Sequence, residues 1–197
     1  MIKLHIGCFD VPLPGWYNTD ITMHIFVARI PFLAHALHML GVIDDARFQR
    51  QREGVFRSVH FLNATKRFPF HDNSIEAVYS SCMLASFTRL NALKCLKEIN
   101  RVLCPGGILR LATPDLASWI ATYDPEDPDT FLRRIFEPEI RGEKNRIHWM
   151  YTSQSLRNIL HEAGFKNIAA RERHQGKCPD VQSIDYRSDV LFMEGEK

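Results

Sequence analysis

Residues 3–20, Lys-Leu-His-Ile-Gly-Cys-Phe-Asp-Val-Pro-Leu-Pro-Gly-Trp-Tyr-Asn-Thr-Asp, constrain the fold more than any other stretch of the chain. Leu4 and Ile6 alternate with polar neighbours and stop at Gly7, the pattern of a short strand ending in a tight bend. Pro12, Pro14 and Gly15 then hold the chain in turns. Residues 16–21 read as a second short strand that ends on the carboxylate of Asp20. A strand, a glycine bend and an acid at the tip of the next strand are how α/β folds hold a nucleoside. The glycine admits the ligand close to the backbone, and the acid accepts hydrogen bonds from ribose hydroxyls. By itself Gly7 reads equally well as an ordinary turn glycine.

Strands and helices alternate along the rest of the chain. Further strands are expected at 59–64, 75–80, 108–112, 168–171 and 190–193. Pro31 opens a helix that Gly41 closes, and 44–57 is charged and helical, with Arg47, Arg50, Arg52 and Arg57 facing solvent. Leu90, Leu93, Leu96, Ile99 and Leu103 recur at helical spacing until Pro105-Gly106-Gly107 stops the helix. A helix covers 115–123, and a loop covers 124–129. Thr152 or Ser153 caps a last helix, with Leu156, Ile159 and Leu160 inward and Gly164 at its end. Such alternation predicts a largely parallel sheet covered on both faces. Sheets of this kind bind ligands at the carboxyl ends of their strands, which is where Gly7, Asp20, Asn63 and Ser80 fall.

The 197 residues suit one domain, 1–197, with a helical insertion at about 22–57 and a second at about 124–150. Five cysteines, an odd number without a Cys-x-x-Cys pair, argue against a disulfide framework and a zinc site, so no metal is expected. They suit a reducing, cytoplasmic location, as does Met1 leading directly into a strand without a signal segment. A net charge of +2 is too small to imply a nucleic-acid partner. Residues 21–43 are strongly apolar, but His24, Arg29, Pro31, His35 and His38 break them up, so no transmembrane segment is expected. They read as a helix packed on the sheet edge, with peripheral membrane contact as the alternative.

From Phe68 onward the motifs are specific. Phe-Pro-Phe-His-Asp-Asn-Ser-Ile-Glu-Ala-Val-Tyr-Ser-Ser, followed by Leu-Lys-Glu-Ile-Asn-Arg-Val-Leu-Cys-Pro-Gly-Gly-Ile-Leu-Arg-Leu-Ala-Thr-Pro-Asp-Leu, resembles the class I S-adenosylmethionine-dependent methyltransferases. The similarity is greatest to a small bacterial group that opens with Leu-x-x-Gly-Cys-Gly and Leu-Pro-Gly-Trp-x-Asn-x-Asp. Residues 151–165 resemble that group's helix before the sixth strand. The resemblance implies a Rossmann-like α/β fold: a seven-stranded, mostly parallel sheet with helices on both faces and an antiparallel last strand. It also implies S-adenosylmethionine as cofactor. Gly7, Cys8 and Phe9 would lie under its methionine and ribose, Asp20 at the ribose hydroxyls, Asn63 and Ala64 by the adenine, and Ser80 and Ser81 facing the methionine. Phe9 replaces the motif's second glycine, Asn63 an aspartate, and Cys82, Ala85 and Ser86 a His-x-x-Glu-His pattern. These departures keep open a second reading, a catalytically inactive module of the same fold that binds a partner.

Methyl transfer from a sulfonium is a direct displacement, so alignment of the nucleophile is the main requirement and no fixed catalytic motif is expected. The methyltransferase reading takes a small-molecule or glycan-like acceptor. His148 and Tyr151, just before the Thr152-capped helix, are the candidate bases or acceptor contacts. Arg133, Arg134, Arg141, Lys144 and Arg146 form a basic group suited to an acidic acceptor or to a solvated face. A dinucleotide-dependent oxidoreductase fits poorly, because the first strand lacks the three-glycine turn. The oligomeric state has no signature in the sequence.

Overall fold

The computed structural model describes residues 2–137 and 147–197. One seven-stranded sheet organises them, in the order β3-β2-β1-β4-β5-β7-β6. The strands are β1 (Ile2–Ile6), β2 (Tyr17–Asp20), β3 (Val59–Phe61), β4 (Ile75–Ser81), β5 (Leu103–Thr113), β6 (Lys166–Arg171) and β7 (Leu191–Glu196). The neighbours from β3 through β5 pair in parallel, and β7 lies antiparallel to both β5 and β6. The order reverses at β1, which lies between β2 and β4. A cleft therefore opens at the carboxyl end of β1, as in other open α/β sheets.

Among the described residues the α-helices in the connections are α1 (His24–Val27), α2 (Leu33–Met39), α3 (Asp45–Arg52), α4 (Arg89–Val102), α5 (Leu116–Ile120), α6 (Pro128–Phe136), α7 (Ser153–Glu162) and α8 (Val181–Ile184). The main core sets Leu4, Ile6, Val78 and Leu109 of the sheet against Leu96 and Ile99 of α4 and Leu156 and Leu160 of α7. The buried face of α4 is Ala92, Cys95, Leu96, Ile99 and Val102. Leu90, expected on it, is exposed instead, because the buried stripe begins at Ala92. Thr152 caps α7 through a reciprocal hydrogen-bonded box with Ser155.

Two expectations shift. Pro105-Gly106-Gly107 does not precede a strand but sits inside β5: Leu103 already pairs with Ile75, and the ladder resumes at Ile108 opposite Ala77. Residues 104–107 bulge out between these pairs. A side chain at Gly107 would meet the Cys104 and Glu76 carbonyl oxygens at 2.9 and 3.0 Å, so only glycine fits the bulge. The insertion at 124–150 was read as opening in a loop, but α6 begins within that loop, with Asp127 as its cap and Pro128 in its first turn. Arg141, Lys144 and Arg146 lie outside the described residues.

Arg110 of β5 is fully buried. Its Nε donates to Asp185 Oδ1 at 2.9 Å and its Nη1 to Glu194 Oε1 at 3.0 Å. Two backbone carbonyls, those of Glu172 and Gln175, take further guanidinium protons. This network ties residues 172–187, which carry α8, onto the sheet.

Candidate functional site

β1 ends in Gly7, whose φ of +74° lies in the left-handed region. A Cβ there would stand 2.7 Å from the Cβ of Met83, so the bend and the close approach of the loop after β4 both demand glycine. The Gly7 and Cys8 amides donate to the Thr19 carbonyl at 2.8 and 3.1 Å, turning the chain back over β2. Phe9 follows, also with positive φ, and its amide donates to Asp20 Oδ2 at 2.9 Å. The other carboxylate oxygen, Oδ1, accepts from the Thr22 amide at 2.8 Å. Each oxygen of Asp20 thus accepts one bond from the described residues and keeps lone pairs for more.

These residues line a cavity of about 770 Å³ at the carboxyl ends of β1, β2 and β4. It brings together Gly7, Cys8, Phe9, Asp20, Asn63, Ala64 and Ser81 among the residues singled out from sequence. Ser80 is not part of it: strand alternation turns its side chain into the protein, where its hydroxyl has no hydrogen-bond partner among the described residues. Cys8 is buried, and burial with the nearby Asp20 carboxylate pushes its thiol up to about 12, so it stays protonated at neutral pH.

Phe9 does not fill the cavity. Its ring turns edge-on to His24 and Phe56, and the Arg47 guanidinium lies over its face, 4.8 Å from the centroid. Arg47 therefore belongs to the cavity wall and not to a solvated helix face. Asn63 is oriented by Thr65. Its Oδ1 accepts from both the amide and the hydroxyl of Thr65, at 3.0 and 2.7 Å. That leaves its amide nitrogen, a donor, as the unpartnered end among the described residues.

The two candidate bases separate. Tyr151 belongs to the core, is 1% exposed and does not line the cavity; burial pushes its phenol up to about 12. The cause is its register: it bridges to Asp115 beside β5, which turns its ring under α7. His148 is exposed and next to the cavity-lining Ile147, and its amide donates to the Ala85 carbonyl. Arg133 and Arg134 lie away from the cavity, Arg133 paired with Glu137 and Arg134 over the ring of Trp119. Sequence reasoning missed Tyr186 and Arg187, which line the cavity from the segment that Arg110 tethers. No periodic signal marks them. Among the described residues no group of three or more His, Cys, Asp or Glu could hold a metal ion.

Residues 38–111 match a family model described as a methyltransferase domain. The fold is similar to that of solved methyltransferases. One is a SAM-dependent methyltransferase from Thermotoga maritima, 15% identical with a TM-score of 0.55, over 100% of this chain and 82% of that one. The matched stretch and the fold likeness both point to methyltransferases. A SAM-dependent methyltransferase from Methanosarcina mazei is 18% identical with a TM-score of 0.53, over 99% of this chain and 91% of that one. PigF, solved with SAH, is 15% identical with a TM-score of 0.55, and this chain spans 50% of it. No curated protein matches the chain. The Thermotoga maritima and Methanosarcina mazei proteins are described as SAM-dependent, and the donor set here fits S-adenosylmethionine. A carboxylate with spare lone pairs suits a ribose diol, an amide donor suits a purine ring nitrogen, and the volume suits a ligand of that size.

Proposed function

We propose that this methyltransferase-fold chain binds S-adenosylmethionine in the cavity and transfers its methyl group to a small or glycan-like acceptor. The observation that carries the reading is Asp20: a carboxylate at the tip of β2, on the cavity wall, with one accepted bond per oxygen. When bound, the cofactor supplies an electrophilic methyl group. In this reading Asp20 accepts from the ribose hydroxyls, and Asn63 donates to an acceptor nitrogen of the adenine. Leu62 and Ala64 give the base an apolar wall, and the glycine bend at Gly7 lets the backbone approach the amino-acid end.

Acceptor contacts come from the opposite wall, where Phe87, Pro114, Ile147, Tyr186 and Arg187 meet. Phe87, Pro114 and Ile147 exclude water, which would compete as a nucleophile. His148, beside Ile147, is the group placed to take a proton from an acceptor hydroxyl. Alignment of acceptor and methyl is the chief contribution, because a direct displacement needs little else from the protein. An open cavity, with Phe9 turned onto His24 and Phe56, favours this reading over an inactive module.

Calorimetric titration with S-adenosylhomocysteine tests it, with Asp20→Asn alongside and its thermal transition checked. Binding by the wild type, weakened at least about tenfold in a folded Asp20→Asn variant, is the expected result for loss of charge-assisted bonds to the diol. Absence of binding to the wild type overturns the proposal.

A further inference from the structure

We infer that residues 21–42 form a docking surface for an anionic lipid bilayer, whatever reaction the cavity supports. The reason is a helix with no buried residue, flanked by exposed apolar side chains. That helix, α2, meets α3 through its histidines: His38 stacks on Phe48 at 4.2 Å with the rings 8° apart, and His35 lies 5.7 Å from the same ring. Leu33 and Leu37 are half-buried, but the large apolar side chains at its ends and flanks stand in water. Phe32 is 88% exposed, Leu40 76% and Met39 75%, and Met23, Ile30 and Val42 are also largely in water. Helices of water-soluble domains turn apolar groups inward and imidazoles outward. Here these six large apolar side chains between residues 23 and 42 are left in water. Phe32 also sits at positive φ, a conformation that costs a phenylalanine energy and pushes its ring outward ahead of the helix. So many large apolar side chains exposed within 20 residues of chain mark a surface with an apolar partner.

Charge selects the partner. Residues 21–43 contain Arg29 and three histidines and no acid. Over 21–57 five arginines face three acids, a net +2 that equals the net charge of the whole chain, so the remaining residues balance to zero. Arg29, Arg52 and Arg57 are exposed, and no ion pair holds them among the described residues. An apolar group of side chains with an excess of cations beside it, on short helices lying over the protein, is the chemistry that seats in the headgroup region of an anionic leaflet. No helix among the described residues is long and apolar enough to cross a membrane, so contact is interfacial. A second copy of the chain would set the cationic rims of two such surfaces against each other.

The test is co-sedimentation of the full chain with vesicles of phosphatidylcholine alone and of phosphatidylcholine mixed equally with phosphatidylglycerol. The expected result is binding to the mixed vesicles only, reduced by salt, and weakened at least roughly tenfold by Phe32→Glu with Leu40→Glu. The variant should keep its thermal transition; if it fails to fold, Phe32→Ser with Leu40→Ser serves instead, since neither side chain is in the core. A wild type that stays in solution with both vesicles overturns the inference, and so does equal binding to both. A wild type that is dimeric by light scattering, and monomeric with the double substitution, assigns the surface to a second copy and overturns it as well.

Discussion

Arg110 and Asp185 form an ion pair in which both side chains have no exposure to solvent. Arg110 stands in the middle of β5, and Asp185 immediately precedes Tyr186 and Arg187 of the cavity wall. The pair therefore links the sheet to one side of the candidate site. Burial opposes the charged guanidinium, but the Asp185 hydrogen bonds and the Asp185 and Glu194 charges outweigh it, so the Arg110 pKa is raised. Arg110→Met leaves Asp185 buried without its ion partner and Glu194 with Arg171 alone. Its expected cost is about 3–5 kcal/mol, read from urea unfolding. A cost below about 1 kcal/mol would mean that water enters and solvates the carboxylates.

Tyr151→Phe should leave both stability and any transfer activity nearly unchanged. The Tyr151 hydroxyl is buried without a hydrogen-bond partner among the described residues, so its removal leaves no group unpaired. A large loss of turnover with unchanged stability would reinstate Tyr151 as a base.

Gly7→Ala should lower the unfolding free energy by at least about 1–2 kcal/mol, the cost of an alanine at positive φ, with the Met83 contact adding to it. The same variant should bind S-adenosylhomocysteine more weakly in calorimetry, because Met83 must move into the cavity wall.

Asn63→Asp keeps the oxygen that Thr65 uses but exchanges the free donor for an acceptor. Facing a purine ring nitrogen, that change should weaken S-adenosylhomocysteine at least about tenfold. Tighter binding would instead mean that the group facing Asn63 is the adenine amino group.

Acidification should destabilise the chain through His5. Burial pulls the His5 pKa from 6.5 down to about 4, against a hydrogen bond with Asn18 that raises it. Asn18 uses its amide nitrogen for the Leu13 and Trp16 carbonyls, so its oxygen accepts and His5 Nδ1 carries the proton. The unfolded chain binds the second proton more readily. Stability is therefore full above pH 6.5, falls as the pH drops toward 4 and then levels, for a total of about 3 kcal/mol. Thermal midpoints of the wild type and His5→Gln across this window should converge at low pH.

Local features were legible because they depend on neighbours in the chain. Alternation of Leu4 and Ile6, the bend at Gly7, the acid at the end of the next strand and the Thr152 cap each express backbone rules that act within a few residues. The stripe on α4 was legible at Leu96 and Ile99 but not at Leu90, since the helix's rotation against the sheet is set by what it packs on. The cavity residues Gly7, Asp20, Asn63 and Ala64 could be found from sequence because parallel strands carry their carboxyl ends to one edge. Arg47, Tyr186 and Arg187 could not, for they reach the cavity from segments whose own patterns read as solvated helix or loop. Tertiary structure alone decided that Arg110 is buried in an apolar strand, that the Tyr151 ring points into the core and that Phe9 clears the cavity. Each outcome depends on groups far away in the chain. Two distant carboxylates make burial of Arg110 tolerable, a bridge to Asp115 sets the register of Tyr151, and His24, Phe56 and Arg47 hold the Phe9 ring against the cavity wall.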